Sequence, residues 1–261
     1  MKNSFLLGLS FCLTTCLLIF FLTENAFAIE TKGLQPVQPN GIFSSFSAHT
    51  LSGGSFAAGL DYEKGIDINY DRLALKASFG ISDEAEMLLT VPFILNWDEK
   101  DGFEDISLGF KHKIFSEEIY GPSVAYLLKG SLPTGRSIFS TDGSAGGGII
   151  VSKKIGPFSS NINLTYSEPF KSSLNEQIEV IAGFSLKAAH DFDILAELYA
   201  VDSYESKHFD TVELRFGYRL RTTDYIRTIV GVGFDLHDRT PELRLMISFN
   251  LLFDNARSIG Y

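Results

Sequence analysis

Charged side chains recur at every second position in several otherwise apolar segments of this chain. The clearest case is residues 211–221, where Glu213, Arg215 and Arg219 alternate with apolar residues. Side chains two residues apart lie on the same face of a β-strand. Such a face can orient a charged solute, or its charges can pair with one another. Ten residues are candidates for this role: Lys111, Lys129, Glu179, Glu197, Glu213, Arg215, Arg219, Arg227, Asp235 and Arg244.

Residue types that carry catalysis or bind metals are present, but their spacing predicts no such site. The five histidines are scattered without metal-ligand spacing. Both cysteines, Cys12 and Cys16, fall in an N-terminal apolar run. Residues 231–236 begin like a dinucleotide-binding turn, but Leu236 stands where the third glycine should be. The sequence therefore predicts a protein that is not an enzyme and that has no cofactor or metal site.

The first 28 residues have the pattern of a secretory signal peptide. Lys2 supplies a positive charge, an apolar run follows, and Ala26-Phe27-Ala28 is a small-x-small cleavage site. This pattern favours cleavage near Ala28 over an uncleaved anchor, although the apolar run could nearly span a bilayer. Beyond the leader, no apolar run is long enough for a transmembrane helix. Any membrane crossing must therefore use strands.

The composition of the chain argues against nucleic acid as a partner. The 261 residues carry a formal net charge of −10. No Lys/Arg cluster supplies the electrostatic footprint that phosphate backbones require.

Residues 54–253 contain about twelve segments with strand-like alternation, separated by turn residues. Most are on the order of 9–13 residues long, enough for a tilted strand to cross the hydrocarbon core. Tight turns such as residues 156–157 alternate with longer, more charged loops such as residues 133–142. This pattern predicts an all-β fold, an antiparallel up-and-down transmembrane β-barrel of about twelve strands.

A soluble β-sandwich would show the same alternation, with its apolar faces buried against each other. Glycines on the polar faces, such as Gly109, Gly183 and Gly217, favour the barrel because they make room in a narrow lumen. Aromatic residues also collect near both ends of the predicted strands, with Phe139 and Tyr204 among those expected in an outer girdle. We therefore predict that the apolar faces contact lipid and that the polar faces line a lumen.

The charged lumen face has two interpretations. In one, its basic side chains line a narrow path and orient a small solute. In the other, they pair with carboxylates on the same face and brace the lumen. The second is slightly favoured, because charges held away from bulk water need partners. The basic residues concerned are Arg215, Arg219, Arg227 and Arg244, and their acidic partners would be Glu197, Glu213 and Asp235.

Three short motifs resemble a known family. Residues 102–113 read Gly-Phe-Glu-Asp-Ile-Ser-Leu-Gly-Phe-Lys-His-Lys, a glycine–aspartate opening followed by a strand with a basic end. Leu-Pro-Thr-Gly at residues 132–135 and Ser-Lys-Lys-Ile-Gly at residues 152–156 follow in order. This order resembles the "MetA-pathway of phenol degradation" family of outer-membrane barrel transporters. The similarity covers most of residues 54–253 and implies a location and a barrel rather than a particular substrate.

The predicted organisation is a signal peptide over residues 1–28, a periplasmic lead-in over 29–53, the barrel over 54–253 and a C-terminal tail over 254–261. Residues 42–50 are either an extra strand or a segment lying inside the barrel. Phe253 closes the last predicted strand, and either it or Tyr261 is the aromatic residue that the barrel-assembly machinery would read.

These features predict a bacterial outer-membrane channel or transporter that passes small molecules, including hydrophobic or aromatic ones, by diffusion. The alternative is a structural or surface-interaction barrel with a plugged lumen and no transport. A lipid-modifying enzyme is least favoured, for want of a nucleophile–base pair. The expected partners are outer-membrane lipid, the barrel-assembly machinery and a small-molecule solute.

Overall fold

A computed structural model describes residues 32–202, 204, 209–237 and 243–253. The predicted signal peptide, the C-terminal tail and Tyr261 lie outside these ranges. The described residues form thirteen strands: β1 (Phe56–Gly65), β2 (Tyr70–Ser82), β3 (Ala85–Trp97), β4 (Lys100–Phe103), β5 (Ile106–Phe115), β6 (Ser123–Leu132), β7 (Ser144–Ile155), β8 (Phe158–Pro169), β9 (Gln177–Ala189), β10 (Phe192–Asp202), β11 (Phe209–Arg221), β12 (Ile226–Asp235) and β13 (Leu243–Phe253). Among them there is no helix long and apolar enough to span a membrane.

Twelve of these strands, all but β4, close into one antiparallel barrel. Sequence neighbours pair with each other, and β3 pairs directly with β5. The barrel closes where β1 pairs with β13, from Phe56 opposite Phe253 to Gly65 opposite Arg244. The closed ring leaves no unpaired sheet edge. The predicted all-β, up-and-down barrel of about twelve strands is therefore confirmed.

The additional strand, β4, lies where the sequence predicts only a loop. It folds back on the end of β3 through Asp98 and Glu99, whose φ angles are 48° and 63°. Positive φ at both central residues is typical of a tight hairpin turn. Pro92 lies in β3 beyond its pairing with β5, and its carbonyl accepts the N–H of Glu104 at 3.2 Å. Proline has no N–H, and the position of this missing donor faces away from β2, where the β3–β5 ladder has already ended. The pairing of β3 with β2 therefore loses no hydrogen bond.

Each barrel strand buries its polar face and exposes its apolar face. In β8, Leu164 points outward and is 54% exposed, whereas Asn163 beside it points inward and is fully buried. Exposed leucine, isoleucine and phenylalanine side chains recur in this way around the barrel. A soluble sandwich would show the reverse, so the alternation fits a barrel whose outer surface contacts hydrocarbon.

The two ends of the barrel differ. We call the end where β1 begins and β13 stops the turn end, because its connections, such as residues 83–84, 156–157 and 190–191, are short. The opposite end is the loop end, where residues 133–143 and 170–176 form longer connections. Short turns at one end and longer loops at the other are typical of outer-membrane barrels.

Candidate functional site

Residues 32–51, which we call the lumen segment, lie inside the barrel. Val37, Phe46 and Leu51 are buried there, and wall side chains from β1 to β13 contact the segment. The prediction of a periplasmic lead-in over residues 29–53 is wrong for this part, which the strands enclose. Of the two alternatives predicted for residues 42–50, the structure agrees with the segment inside the barrel and not with an extra strand. The polar lumen satisfies the main-chain groups of the segment, while its apolar side chains are removed from water.

The lumen segment doubles back on itself. Lys32 contacts Glu63 towards the loop end, and the N–H of Gln38 donates to Asn250 towards the turn end at 3.3 Å. An antiparallel bridge between Gly41 and Phe46 then closes a tight reversal. Two stretches of chain therefore share this part of the lumen.

Wall side chains hold the main chain of the lumen segment. The Glu197 carboxylate accepts the N–H groups of Ser44 at 3.0 Å and Ser45 at 2.8 Å. The Asn163 amide accepts the N–H of Phe46 at 2.6 Å and donates to its carbonyl at 2.8 Å. The Asn163 side chain therefore pairs with both main-chain groups of one residue, as a residue on a neighbouring strand would.

A second wall contact comes from the ion pair of Lys111 and Glu86, whose charged atoms are 2.9 Å apart. Lys111 donates to the carbonyls of Ser47 at 2.9 Å and His49 at 2.6 Å. Glu86 accepts the N–H of Leu51 at 2.7 Å. One ion pair thus fixes three main-chain groups of the lumen segment.

Glycines of the wall make room for apolar side chains of the lumen segment. Gly217 and Gly231 lie opposite each other on β11 and β12, and the Phe43 ring covers both. A Cβ added to Gly231 would lie 2.4 Å from that ring, and one added to Gly109 would lie 2.3 Å from Leu34. The sequence predicts that these glycines relieve crowding in the lumen, and the crowding comes from the lumen segment.

Buried charges of the lumen pair with one another. Arg215 Nη1 lies 2.9 Å from Glu197 Oε1, and its Nε donates to Glu213 at 2.6 Å. Arg244 Nε lies 2.7 Å from the same Glu213. These four candidates from the sequence therefore meet at one place.

The same network reaches the lumen segment through Lys32. Its ammonium group lies 2.6 Å from Glu63, which is also 3.7 Å from Arg244. Arg72 lies 2.5 Å from Glu104 and 3.9 Å from Glu63. We call this set the eight-residue network: its cations are Lys32, Arg72, Arg215 and Arg244, and its carboxylates are Glu63, Glu104, Glu197 and Glu213. Four positive and four negative charges balance, as charges held away from water require.

Two further candidates, Lys129 and Glu179, form a pair of their own. Their charged atoms are 3.8 Å apart, and Lys129 also donates to Thr165 at 2.9 Å. Both side chains are only slightly exposed. They lie apart from the eight-residue network and contribute local pairing to another part of the wall.

The last three candidates lie near the barrel ends. Arg219 pairs with Asp193 at 2.7 Å and donates to the Gln38 side chain at 2.6 Å. Arg227 lies directly opposite Arg221 near the turn end and belongs to none of the pairs described above. Asp235, near the loop end, accepts the N–H of its neighbour His237 at 3.2 Å.

Four members of the eight-residue network were not among the candidates from the sequence. Glu63 and Arg72 occupy inward positions of β1 and β2, so strict alternation would have found them. Glu104 follows β4, which the sequence does not predict. Lys32 lies in a segment without periodicity, and no local signal marks it.

Residues 133–143 fold inward across the loop end, and Asp105 holds them there. Its carboxylate accepts the Ser140 hydroxyl at 2.7 Å, the N–H of Thr141 at 2.8 Å and the N–H of Gly135 at 2.9 Å. Burial alone would raise the pKa of Asp105, but the hydrogen bonds from Ser140, Gly135 and Thr141 outweigh it and lower that pKa. Asp105 therefore stays ionised as the latch of this loop.

Two aromatic residues predicted for the outer girdle are instead buried at the loop end. Phe139 is 3% exposed and stacks on Trp97 with ring centroids 6.2 Å apart. Tyr204 is 6% exposed, and burial raises its pKa to about 12. The girdle prediction is wrong for both, because each side chain is buried rather than exposed to lipid.

One small cavity lies between the lumen segment and the wall. A cavity of about 20 Å³ lies beside Phe43, between Asp61, Ile229 and Met246. This volume is room for about one water molecule. Within the described ranges, no group of three or more His, Cys, Asp or Glu residues could hold a metal ion.

No family model and no curated protein matches this chain. The resemblance to the "MetA-pathway of phenol degradation" family therefore stays a prediction. Solved structures do match. The COG4313 outer membrane channel from Pseudomonas putida F1 is similar with a TM-score of 0.59 and 12% identity, over 79% of this chain and 98% of that one.

Two porins are similar to about the same degree. The KdgM porin, solved with disordered oligogalacturonate, has a TM-score of 0.57 and 8% identity over 75% of this chain and 98% of its own. The NanC porin has a TM-score of 0.55 and 10% identity over 76% of this chain and 99% of its own. At such identities the likeness is one of fold. The chain is a closed twelve-stranded antiparallel barrel with the fold of these outer-membrane channels.

Proposed function

We propose that this protein is a channel of the bacterial outer membrane that passes small solutes by diffusion. The exposed apolar side chains around the barrel support membrane insertion, because water would disfavour so large an apolar surface. The predicted signal peptide and the fold shared with outer-membrane channels support the same location. Outer-membrane barrels have short periplasmic turns and longer outer loops, so in this proposal the turn end faces the periplasm and the loop end faces outward.

The observation that carries the proposal is that, among the described residues, no backbone ladder joins the lumen segment to the strands of the wall. Among the described residues, its backbone-to-backbone hydrogen bonds run within the segment, such as Ser47 N to Asn40 O at 3.0 Å. The twelve strands close through their own ladders. Departure of the segment therefore breaks no strand pairing and leaves a hollow cylinder, between small filled barrels and wide porins in size.

The proposed solutes are small molecules. Most lumen charges have partners of opposite sign, so the wall offers a nearly balanced mixture of polar and apolar groups. Such a wall supports passage without strong selection by charge. The hydrophobic or aromatic character of the solute rests on the family resemblance.

A structural or surface-interaction barrel without transport is the second candidate. The observation that favours it is the occupied lumen, where the eight-residue network ties Lys32 of the lumen segment to the wall. If this state is permanent, the protein is a rigid membrane anchor for its outer loops.

Planar-bilayer conductance tests the channel, with Gly231→Leu as the informative variant. The added side chain would take the place of the Phe43 ring and weaken the seat of the lumen segment. We expect the wild type to conduct and Gly231→Leu to stay open for a larger fraction of the time. Val232→Leu, on the outer face of the same strand, is the control and should behave like the wild type.

Folding of each sample is checked by the heat-dependent gel shift typical of closed barrels. If folded wild type and folded Gly231→Leu both pass no ion, and neither lets solute swell liposomes, the channel proposal is wrong. The structural barrel would then take its place.

A further inference from the structure

The lumen wall recognises the lumen segment mainly through main-chain atoms. Besides the contacts of Glu197, Asn163 and Lys111, three hydroxyl or amide groups of the wall accept N–H groups of the segment. These are Thr90 from Gln35 at 3.0 Å, Asn250 from Gln38 at 3.3 Å and Ser152 from Ala48 at 2.8 Å. Main-chain groups are the same in every peptide, so such contacts do not depend on the side chains of the segment.

We propose that the lumen wall is a binding site for short peptides that follow the bent path of residues 41–51, and that the lumen segment occupies this site in place of such a ligand. This inference rests on the proposed function, because a ligand reaches the site only when the segment leaves. Asn163 is the central group. It is fully buried, and both of its described hydrogen bonds go to the main-chain N–H and C=O of Phe46.

When the lumen segment leaves, Asn163 and Glu197 lose these partners. Water takes their place in the open lumen, so a ligand that displaces this water must supply N–H and C=O groups in the same arrangement, because a polar wall group left without a partner is costly. A peptide that turns as residues 41–46 do supplies them in this arrangement. A purely apolar small molecule supplies none.

The wall also selects side chains. The Gly217–Gly231 floor accepts the ring of Phe43, which identifies a pocket for an aromatic or large apolar anchor. Next to it, a Cβ added to Gly183 would lie 2.3 Å from the Ser45 hydroxyl, so the wall approaches the segment closely there. The ligand class is therefore a peptide with an apolar anchor followed by small residues.

Binding of a labelled peptide to the full-length protein in detergent tests this inference. The probe is a capped peptide with the sequence of residues 41–51, Gly-Ile-Phe-Ser-Ser-Phe-Ser-Ala-His-Thr-Leu. Phe43→Ala weakens the internal competitor without changing the wall. We expect saturable binding, followed by fluorescence anisotropy, at least about tenfold tighter for this variant than for the wild type.

The wall contact is tested in the Phe43→Ala background. Asn163→Ala should weaken peptide binding about tenfold or more, the effect expected for loss of one to two neutral hydrogen bonds. Leu164→Ala, on the outer face of the same strand, is the matched control and should have no effect. A peptide N-methylated at the position equivalent to Phe46 lacks the donated N–H and should bind about tenfold more weakly.

Two results would overturn the inference. One is no saturable binding to folded Phe43→Ala and to folded Leu34→Ala, a second variant that releases a different anchor. The other is a peptide affinity that is unchanged both by Asn163→Ala and by N-methylation of the peptide. If Gly231→Leu conducts while no peptide binds, the channel stands without a peptide site; if peptide binds without conductance, the channel proposal fails instead.

Discussion

Arg215 is the residue at which the lumen charge is most concentrated. Its guanidinium is fully buried, contacts Glu197 and Glu213, and lies 4.0 Å above the centre of the Tyr199 ring. Partners on several sides replace the water that this cation has lost. The bracing interpretation of the lumen charges therefore describes the filled lumen better than an open charged path does.

Arg215→Met should destabilise the folded barrel strongly. Removing the cation leaves carboxylates of Glu197 and Glu213 buried with fewer partners, which costs about 3–5 kcal/mol in comparable buried pairs. Arg221→Met is the control, because Arg221 and its partner Asp191 lie partly exposed at the barrel rim. Its effect should stay below about 1 kcal/mol. Urea unfolding in detergent measures both, and equal small losses would show that the network carries no stability.

Asp105 makes the loop latch dependent on pH. Because its folded pKa is lowered, the latch is stabilised at neutral pH and is lost only as the pH falls through that lowered value, below the usual carboxyl range of about 4. Trp97 is the single tryptophan and stacks on Phe139 of the latched loop, so its fluorescence reports the latch. We expect a constant signal from neutral pH down to about pH 4.

Asp105→Asn should show the released signal already at neutral pH, because an amide nitrogen would face the loop donors. A wild-type transition near pH 6, or a variant identical to the wild type at neutral pH, would contradict this role of Asp105.

At the scale of the strand, β8 shows how one element satisfies two environments. Leu164→Arg on its outward face should cost about 2–4 kcal/mol near the middle of the membrane. Phe158→Arg, at the turn-end start of the same strand, should cost only about 0–1 kcal/mol, because the headgroup region accepts charge. Unfolding in lipid vesicles compares the two variants. Equal tolerance of both would mean that lipid does not contact this face.

The strands could be predicted from the sequence because polar and apolar residues alternate along each one, according to whether a side chain faces the lumen or the outside. Val212 and Glu213 are neighbours in sequence, yet they lie on opposite sides of the wall. The hairpin of β3 and β4 was missed because residues 98–101 are all charged, as in a solvated loop. Its turn depends on positive φ at Asp98 and Glu99, and the sequence there has no glycine or asparagine that would indicate such a turn.

The lumen segment could not be placed from the sequence for a different reason. Residues 32–51 have neither strand nor helix periodicity, and their partners are remote in the chain. Ser44, for example, is held by Glu197, 153 residues away. Eight of the ten candidate lumen residues could likewise be matched with their ion-pair partners only in the folded barrel. These are Lys111, Lys129, Glu179, Glu197, Glu213, Arg215, Arg219 and Arg244.

At the scale of the whole molecule, two independent parts of the chain close the lumen. The lumen segment fills its middle, and the loop of residues 133–143 folds over the loop end. Neither part contributes a strand to the barrel. The cylinder and its closures are therefore separate structures, as a channel that opens without unfolding requires.

A disulfide lock tests most directly whether the lumen segment closes a channel. A Cβ on Gly183 would lie 3.1 Å from that of Ser45, close to the distance of about 3.5–4.5 Å that a disulfide spans. Cys12 and Cys16 lie in the predicted signal peptide, so the double variant Ser45→Cys, Gly183→Cys carries the only other thiols. In planar bilayers the oxidised variant should form the bond and stop conducting, and a reductant should restore conductance. Failure of the bond to form in the folded protein, or equal conductance before and after reduction, would contradict the central claim.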